Sequence, residues 1–402
     1  MDRLVGSPQH YAWGSRTMIP ELIGAAEESA QPLAELWFGA HPANPSTLAT
    51  TGEDLLTVID RDRVFALGPN QARLPFLVKI LAAEQPLSLQ AHPSKEQAEL
   101  GFAAENAAGI PITAPERNFR DDNHKPELLI ALTQFRALAG FRRIGQVREL
   151  FTAFSCPQLD TYKLMVSGDE EEGLRALLTT WVSIPQTART ELIAAVMEQI
   201  DRFVERSAAH PNQAQAWILD VATVIQQLYE QYPDDIGIVV SLLLNVITLQ
   251  PGEAMFVPAR QLHSYVHGLA VEVQANSDNV LRGGLTGKHV DVPALVKLLD
   301  FTSLPDPRIL PTDDGDYPVP TEEFQVHRIA ASGGTKLPDG SPLIAVCVSG
   351  SHTFSAVDGT QCELRPGEGL WSPAKSAPLT VSGDGVSFVV TAKTLAQSER
   401  TC

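Results

Sequence analysis

Two stretches of the chain decide its fold class: residues 249–259 read LQPGEAMFVPA, and residues 364–374 read LRPGEGLWSPA. In each stretch a leucine precedes a Pro-Gly pair, and an acidic residue, an aromatic residue and a Pro-Ala pair follow at the same spacing. Proline followed by glycine suits a type II turn, because proline fixes φ at the second position and glycine accepts a positive φ at the third. Each stretch therefore predicts a strand, a tight turn and a second strand.

This repeated turn resembles the turns of cupin-type jelly rolls, which are double-sheet barrels that commonly hold a metal or a sugar at the mouth. In the first copy, His263 follows Ala259 by four positions, and in the second copy Pro378 occupies the matching place. We therefore expect a first β domain that carries the chemistry and a second, smaller β domain that is its structural relative.

The rest of the chain predicts a mainly β protein with an α-helical insertion. Residues 1–140 are expected to form the first part of a cupin-like catalytic β domain, in which the apolar segment Leu74–Leu89 is a buried strand broken near residues 84–86. In residues 141–235 the apolar side chains recur at the three- and four-residue spacing of amphipathic helices, which predicts a helical domain.

The strand pattern returns after the helices. Residues 236–305 are expected to complete the catalytic β domain, with a turn at residues 267–268, and residues 306–402 to form a C-terminal β domain. The predicted architecture is therefore one cupin-like jelly roll that is interrupted by helices and followed by a second, smaller β domain.

The composition excludes several classes of function. A net charge of −18 leaves no basic surface for nucleic acid, and any phosphate site must be built from a few local cations. The most apolar stretch, Ile238–Leu249, is too short to span a bilayer. Four cysteines without a CxxC pair, and an N-terminus without an apolar segment, indicate a reduced, cytoplasmic protein.

A first candidate for metal binding lies at residues 88–92. In a strand, Ser88, Gln90 and His92 would share one face. An imidazole nitrogen and an amide oxygen on one face can bind a metal ion together, although a single histidine on a strand is more often a core or surface residue.

A second candidate lies at residues 123–127. Pro126 disfavours helix at Lys125, so that Lys125 and Glu127 would face the same way and place a carboxylate ligand beside a cation. Taken alone, an exposed turn is the simpler interpretation, because residues 120–122 are also charged.

A third candidate runs from His263 to Lys288. Glu272 alternates with Val271 and Val273, so its side chain faces away from theirs. The sequence leaves open whether Glu272 then points into the barrel or away from it.

Together these motifs resemble those of type I mannose-6-phosphate isomerases. The resemblance rests on residues 90–93, 123–127 and 263–288, and residues 11–14 and 34–42 look like the N-terminal segments of that family. The matches follow the family order, with a helical block between the second and third motifs.

The resemblance implies a zinc site made by two histidines, one glutamate and one glutamine, here His92, His263, Glu127 and Gln90. Three neutral ligands and one carboxylate suit zinc and leave the site positively charged, which favours a phosphorylated sugar. Because the second Pro-Gly turn lacks the histidine, one zinc ion per chain is expected. The chain departs from the family pattern at Gln274, where methionine is usual and where the amide adds a polar group near the presumed site.

The resemblance also implies the reaction, an interconversion of mannose 6-phosphate and fructose 6-phosphate through a cis-enediol(ate). This reaction needs a base for the proton and an electrophile for the developing oxyanion. The implied catalytic residues are Arg282, which would stabilise the enediolate or hold the phosphate, Glu272 as the first candidate for the proton carrier, and Lys125 as the second. The expected substrate-binding residues are Lys288, Ser88, Tyr265 and Trp13.

Two alternatives stay open at the level of sequence. An isomerase of another aldose or aldose phosphate would use the same scaffold, and a non-catalytic metal-containing cupin would bind a sugar phosphate without turnover. The set of Arg282, Lys288, Lys125 and Glu272 disfavours the second alternative, because a binding module needs neither a base nor an oxyanion stabiliser. The chain is expected to be a monomer that acts on a small-molecule sugar phosphate, with no nucleic-acid or membrane partner.

Overall fold

The structure is a computed structural model that describes residues 1–210, 215–304, 306–330 and 332–393. Its strands are β1 (Asp2–Val5), β2 (Ser7–Gln9), β3 (Glu35–Phe38), β4 (Thr47–Leu48), β5 (Phe76–Ala83), β6 (Leu89–Ala91), β7 (Glu127–Ala131), β8 (Phe135–Phe141), β9 (Leu244–Leu249), β10 (Ala254–Val257), β11 (His263–Ala275), β12 (Leu281–Gly284), β13 (Arg308–Ile309), β14 (Asp316–Tyr317), β15 (Gln325–Ile329), β16 (Ser332–Lys336), β17 (Leu343–Ser349), β18 (His352–Ala356), β19 (Gln361–Leu364), β20 (Gly369–Ser372), β21 (Leu379–Gly383) and β22 (Val386–Thr391). Its helices are α1 (Met18–Leu22), α2 (Leu55–Arg61), α3 (Arg63–Leu67), α4 (Lys95–Ala107), α5 (Ile144–Phe154), α6 (Pro157–Asp160), α7 (Glu170–Val182), α8 (Gln186–Ala209), α9 (Ala216–Gln231), α10 (Gly237–Val240) and α11 (Val292–Leu298).

The longest strand, β11, organises the jelly roll. Its first part pairs antiparallel with β6 and β8, and its second part, from Gly268 onward, pairs antiparallel with β5 and β7. One strand therefore belongs to two groups of strands and holds them against each other. Side chains from both groups can meet in the space that they enclose.

The prediction of a turn at residues 267–268 is wrong. The register of β11 shifts between Tyr265 and His267, and Gly268 has a φ of +131°. A Cβ atom at this position would lie 2.7 Å from the Phe135 ring and 2.8 Å from the carbonyl oxygen of Gln134, so only glycine fits. The bulge bends the strand instead of reversing it, because the chain stays paired on both sides.

The helical insertion is confirmed by α5 to α9. It leaves the sheet at the end of β8 and returns at β9, and these strands pair with each other, Phe141 opposite Leu244. The predicted return to strand at residue 236 is wrong, because α10 and a 3₁₀ turn at Ser241–Leu243 come first. Residues 237–243 are buried throughout. A run that is apolar on every side has no period that separates helix from strand.

The repeated turn is present in both β domains. Gly252 and Gly367 have φ values of +90° and +82°. The acidic residue of each copy closes the turn in the same way, since the carboxylate of Glu253 accepts a hydrogen bond from the Gln250 N–H at 2.8 Å, and that of Glu368 from the Arg365 N–H at 2.9 Å. The sequence repeat therefore reflects a repeated local structure.

The C-terminal strands form one sheet of order β14-β15-β22-β17-β20-β1-β4 and another of order β16-β21-β18-β19. The first sheet includes β1 and β4 from the N-terminal end of the chain, a pairing that the sequence did not predict. The domain limits inferred from the sequence remain a prediction.

No helix within the described residues is long and apolar enough to cross a membrane. Cys156, Cys347 and Cys362 are free thiols, and Cys402 lies outside the described residues.

Candidate active site

Three buried side chains from different strands converge inside the jelly roll. His92 follows β6, Glu127 begins β7 and His263 begins β11, and none is more than 3% exposed. The Nε2 atoms of His92 and His263 lie 3.4 Å and 3.3 Å from Oε2 of Glu127. Donor atoms around a tetrahedral zinc ion, each about 2.0–2.1 Å from the metal, are about 3.3–3.4 Å apart. The distance from each histidine nitrogen to the carboxylate therefore suits zinc, and all three donors lie within 4.8 Å of one another.

Backbone carbonyl groups orient both histidines. Nδ1 of His92 donates to the carbonyl oxygen of Asn279 at 2.7 Å, and Nδ1 of His263 donates to that of Gln261 at 3.1 Å. Because a carbonyl oxygen only accepts, Nδ1 carries the proton in each ring and Nε2 keeps a free lone pair. Nε2 of His92 is buried and has no hydrogen-bond partner within the described residues, which fits a nitrogen that binds a metal ion.

The charges around the cluster favour the protonation states that zinc requires. Burial lowers the pKa of His92, against an opposing effect of Glu127, so the ring is neutral. Burial alone would raise the pKa of Glu127, but the ammonium group of Lys125 holds it well below its ordinary value. Nζ of Lys125 lies 2.9 Å from Oε1 of Glu127. His92 therefore offers a neutral imidazole and Glu127 an ionised carboxylate at neutral pH.

Gln90, the fourth proposed ligand, occupies the middle of a row across three strands. It lies opposite His263 of β11 on one side and opposite Arg282 of β12 on the other. Residues directly opposite each other in antiparallel strands project from the same face. Gln90 and Arg282 therefore face the cavity together with His263, and all three line it.

The cavity has a volume of about 280 Å³ and also contains a buried row of charges. Nζ of Lys79 lies 2.7 Å from Oε2 of Glu272 and 3.5 Å from Oε1 of Glu35. The Tyr265 hydroxyl donates to Oε1 of Glu272 at 2.8 Å, and Nε1 of Trp37 donates to Oε2 of Glu35 at 2.6 Å. One ammonium group thus lies between two carboxylates.

Burial acts in opposite directions on the pKa values of Lys79 and Glu35 in this row. Burial alone would lower the pKa of Lys79, but Glu272 and Glu35 raise it above its ordinary value. Burial raises the pKa of Glu35, and Lys79 only partly opposes this. The row also answers the question that the sequence left open. Glu272 faces the cavity, whereas Val271 and Val273 pack in the core between the two β domains.

Of the further cations that line the cavity, Arg117 is paired with Glu105, which leaves three: Arg120, Arg282 and Lys288. None of them forms an ion pair within the described part of the chain. Burial lowers the pKa of Arg282 and Arg120 lowers it further, and burial together with both arginines lowers the pKa of Lys288. Cations that lie close enough to disfavour one another's charge, and that form no ion pair with a carboxylate of the described residues, form a site for an anion such as phosphate.

The structure brings three of the four proposed ligands and most of the other predicted residues to the wall of this cavity. His92 lies in the metal cluster beside Glu127 but does not line the cavity, and Ser88 does not line it either, whereas Leu87 does. The alternation that placed Ser88 beside Gln90 holds only within β6, which begins at Leu89. The predicted residues that line the cavity are Gln90, Glu127, His263, Lys125, Glu272, Arg282, Lys288, Tyr265 and Trp13.

Sequence reasoning missed several cavity residues. Lys79 and Glu35 had a usable signal, because a single charged residue inside an apolar strand is rarely buried without a function. Arg120 had no such signal, because its position at the cavity depends on contacts with a distant segment. The N–H groups of Arg120 and Asp121 donate to Oδ1 of the fully buried Asn279. Gln274 was noticed only as a departure from a family pattern.

Comparisons with known proteins agree with this geometry. The model of the phosphomannose isomerase type I catalytic domain matches residues 1–144, and the model of the phosphomannose isomerase type I helical insertion domain matches residues 160–244. The mannose-6-phosphate isomerase of Escherichia coli (strain K12) is 39% identical over 399 residues, with 96% of this chain and 98% of that protein covered. The mannose-6-phosphate isomerase of Homo sapiens is 32% identical over 411 residues, with 95% and 91% covered.

Solved structures give the same relationship. A crystal structure of mannose 6-phosphate isomerase from Salmonella typhimurium, bound to its substrate fructose 6-phosphate and to zinc, has a TM-score of 0.87 at 36% sequence identity, with 98% of this chain and 100% of that chain covered. A zinc-bound mannose 6-phosphate isomerase has a TM-score of 0.86 at 37% identity, with 98% of this chain and 99% of that chain covered.

Proposed function

Because the chain belongs to the type I phosphomannose isomerase family, we infer that it interconverts mannose 6-phosphate and fructose 6-phosphate with Zn²⁺ as its cofactor. The observation that carries this function is the shared cavity: a zinc-compatible cluster, a buried carboxylate and ammonium row, and unpaired cations all face one space. Isomerisation of a sugar phosphate can use each of these three parts, as electrophile, base and phosphate site.

We assign the zinc to His92, Glu127, His263 and Gln90. When bound there, the ion supplies a Lewis acid that polarises the carbonyl group of the open-chain sugar. Gln90, Glu127 and His263 lie on three strands that are fixed by backbone pairing, and His92 directly follows one of them with its ring held by the Asn279 carbonyl group, so the donors keep their positions before substrate arrives.

The phosphate end of the substrate is assigned to Arg282 and Lys288, with Arg120 beside them. Their charges are only partly hydrated and have no carboxylate partner in the described residues, so a phosphate dianion would satisfy them. This local positive site offsets the overall charge of −18, which repels the substrate at long range. Trp13 and Tyr265 supply side walls of the cavity.

Glu272 is assigned the proton transfer between the two carbon atoms of the sugar, with Lys125 as the second candidate. Tyr265 and Lys79 hold one carboxylate oxygen of Glu272 each and fix its orientation in the cavity. Lys125 is also in the cavity, but its ammonium group contacts the zinc ligand Glu127. Loss of Lys125 would therefore disturb metal binding as well as the reaction.

The experiment that tests the function is a turnover assay on zinc-loaded protein. With mannose 6-phosphate, fructose 6-phosphate should form, the rate should vanish after dialysis against a chelator, and added zinc should restore it. Glucose 6-phosphate and unphosphorylated mannose serve as comparison substrates. Turnover that is faster with either comparison substrate supports an isomerase of another sugar, and binding without any turnover supports the non-catalytic cupin.

We further propose that the protein acts as a cytoplasmic monomer. The three described cysteines are free thiols, which fits a reducing compartment. Light scattering of the purified protein at micromolar concentration should give the mass of one chain, 43.5 kDa; twice that mass would contradict the monomer.

A further inference from the structure

Gln274 is a polar side chain that the structure leaves without a partner at the wall of the active-site cavity. Its residue is only 3% exposed, and its Oε1 atom is buried and accepts no hydrogen bond from the described residues. The Glu272 carboxylate and the Tyr265 hydroxyl on the same strand are, by contrast, hydrogen-bonded to each other. Leaving a buried amide oxygen unpaired is unfavourable, so such a group at a cavity wall indicates a missing ligand atom.

The strand register places Gln274 beside the metal cluster. It lies opposite the zinc ligand Glu127 on β7 and opposite Leu77 on β5, and it shares the cavity face with Glu272, two residues earlier on β11. Leu77 has no polar atom to offer. Oε1 of Glu127 is already paired with Lys125, and Oε2 lies with the two histidines in the metal cluster.

The chemistry of the amide identifies the missing partner. Its oxygen accepts hydrogen bonds and cannot pair with an ionised phosphate, which has no proton to donate. Rotating the amide by 180° would put an N–H group at the same place, which only an acceptor would satisfy. A sugar hydroxyl both donates and accepts, and therefore satisfies the site in either orientation.

We propose that Gln274 is a substrate-binding residue that hydrogen-bonds a hydroxyl group of the hexose phosphate at the metal end of the cavity and discriminates against sugars that lack this hydroxyl. The inference rests on the function proposed above and adds to it a residue that determines specificity. A site built around a buried hydrogen-bonding group rejects the analogue without its partner, because the group then stays unpaired.

The test compares wild type with Gln274→Met, which keeps the length of the side chain and removes the amide. The matched control is Gln325→Met, since Gln325 lies on a strand of the C-terminal sheet, outside the cavity, and its amide donates to the Tyr317 carbonyl oxygen at 3.1 Å. For Gln274→Met we expect KM for mannose 6-phosphate to rise about 5- to 20-fold. Zinc affinity, measured by competition with a chelator, should be unchanged, and Tm of the metal-free protein should not fall. The control should keep the wild-type KM.

Inhibition by fructose 6-phosphate analogues that each lack one hydroxyl, at C1, C3 or C4, identifies the contact. One analogue should bind wild type and Gln274→Met equally, while the others lose affinity on substitution. An unchanged KM, or equal weakening of every analogue, would overturn the proposal and leave a buried water as the partner of the amide. A tenfold loss of zinc affinity would also overturn it, because Gln274 would then be a metal ligand. If wild type itself does not convert mannose 6-phosphate, the proposed function fails, and that result is separate from these outcomes.

Discussion

The proposed zinc ligands and the cations of the cavity are assigned separate tasks, and single substitutions test this assignment. His263 contributes a free Nε2 to the cluster, whereas Arg282 lies two strands away across Gln90. We expect His263→Ala to abolish zinc retention and Arg282→Ala to keep zinc and lose rate. Zinc content after dialysis against a weak chelator, measured together with kcat, tests both. An Arg282→Ala protein with full activity would refute the role given to this arginine.

Glu272 can be replaced without leaving a charge unpaired, which makes the proton-transfer role testable. In Glu272→Gln, Lys79 still pairs with Glu35, so the buried row becomes neutral and the fold should persist. We expect kcat to fall about 100- to 10,000-fold at unchanged zinc content. Lys125→Met should instead lose zinc affinity, because Lys125 contacts Glu127. If Glu272→Gln keeps its rate while Lys125→Met loses rate without losing zinc, the proton carrier is Lys125.

For single residues, the sequence predicted those side-chain positions that depend only on adjacent residues in the chain. Lys125 and Glu127 lie on the same side because Pro126 keeps the segment extended, and the structure confirms this alternation with a 2.9 Å ion pair. Ser88 was misplaced because the same rule was applied beyond the end of β6. Arg120 could not be found, since only hydrogen bonds to Asn279, far along the chain, hold it at the cavity.

Among the elements, β11 decides which residues share the cavity. His263 and Tyr265 face the cavity before the bulge, and Glu272 and Gln274 face it after the bulge. The first pair has odd numbers and the second has even numbers, so strict alternation would have sent one pair to the opposite face. A bulge adds one residue to one strand only, and nothing in the periodicity of apolar residues reveals it.

The bend of β11 should be sensitive to a single methyl group at Gly268. Gly268→Ala would place Cβ 2.7 Å from the Phe135 ring and 2.8 Å from a carbonyl oxygen, in addition to the cost of a positive φ. The matched control is Gly252→Ala, which has a φ of +90° but open space around the new methyl group. We expect the control to cost about 1–2 kcal/mol and Gly268→Ala distinctly more. Urea unfolding of both variants measures the difference, and equal midpoints would show that crowding is unimportant.

The whole molecule is held together by pairings that span the chain. β1 pairs with β20, with Asp2 opposite Trp371, and so joins the first residues to the C-terminal sheet. The valines on the outer face of β11 pack against Ile344 and Val390 of the same sheet. The sequence predicted two related β domains from their repeated turn. It could not predict that β1 crosses to the second domain, because backbone pairing between two four-residue strands leaves almost no residue-specific signal.

A hydrogen-bonded carboxylate between the two β domains, that of Glu323, should make stability depend on pH in the acid range. Burial alone would raise the pKa of Glu323, but hydrogen bonds from His124 and Thr321 lower it to about 2. A carboxyl group with a lowered pKa in the folded state stabilises it above the unfolded value of about 4.3, and this contribution disappears as the pH falls through about 2. Glu323→Gln should therefore cost on the order of 1–2 kcal/mol near pH 6.

The neighbouring, exposed Glu322 provides the control Glu322→Gln, which should leave stability unchanged. Calorimetry of metal-free protein between pH 2 and pH 7 should show Tm curves for wild type and Glu323→Gln that converge toward pH 2. A difference in Tm that persists at pH 2 would mean that the contribution of Glu323 comes from packing and not from its charge.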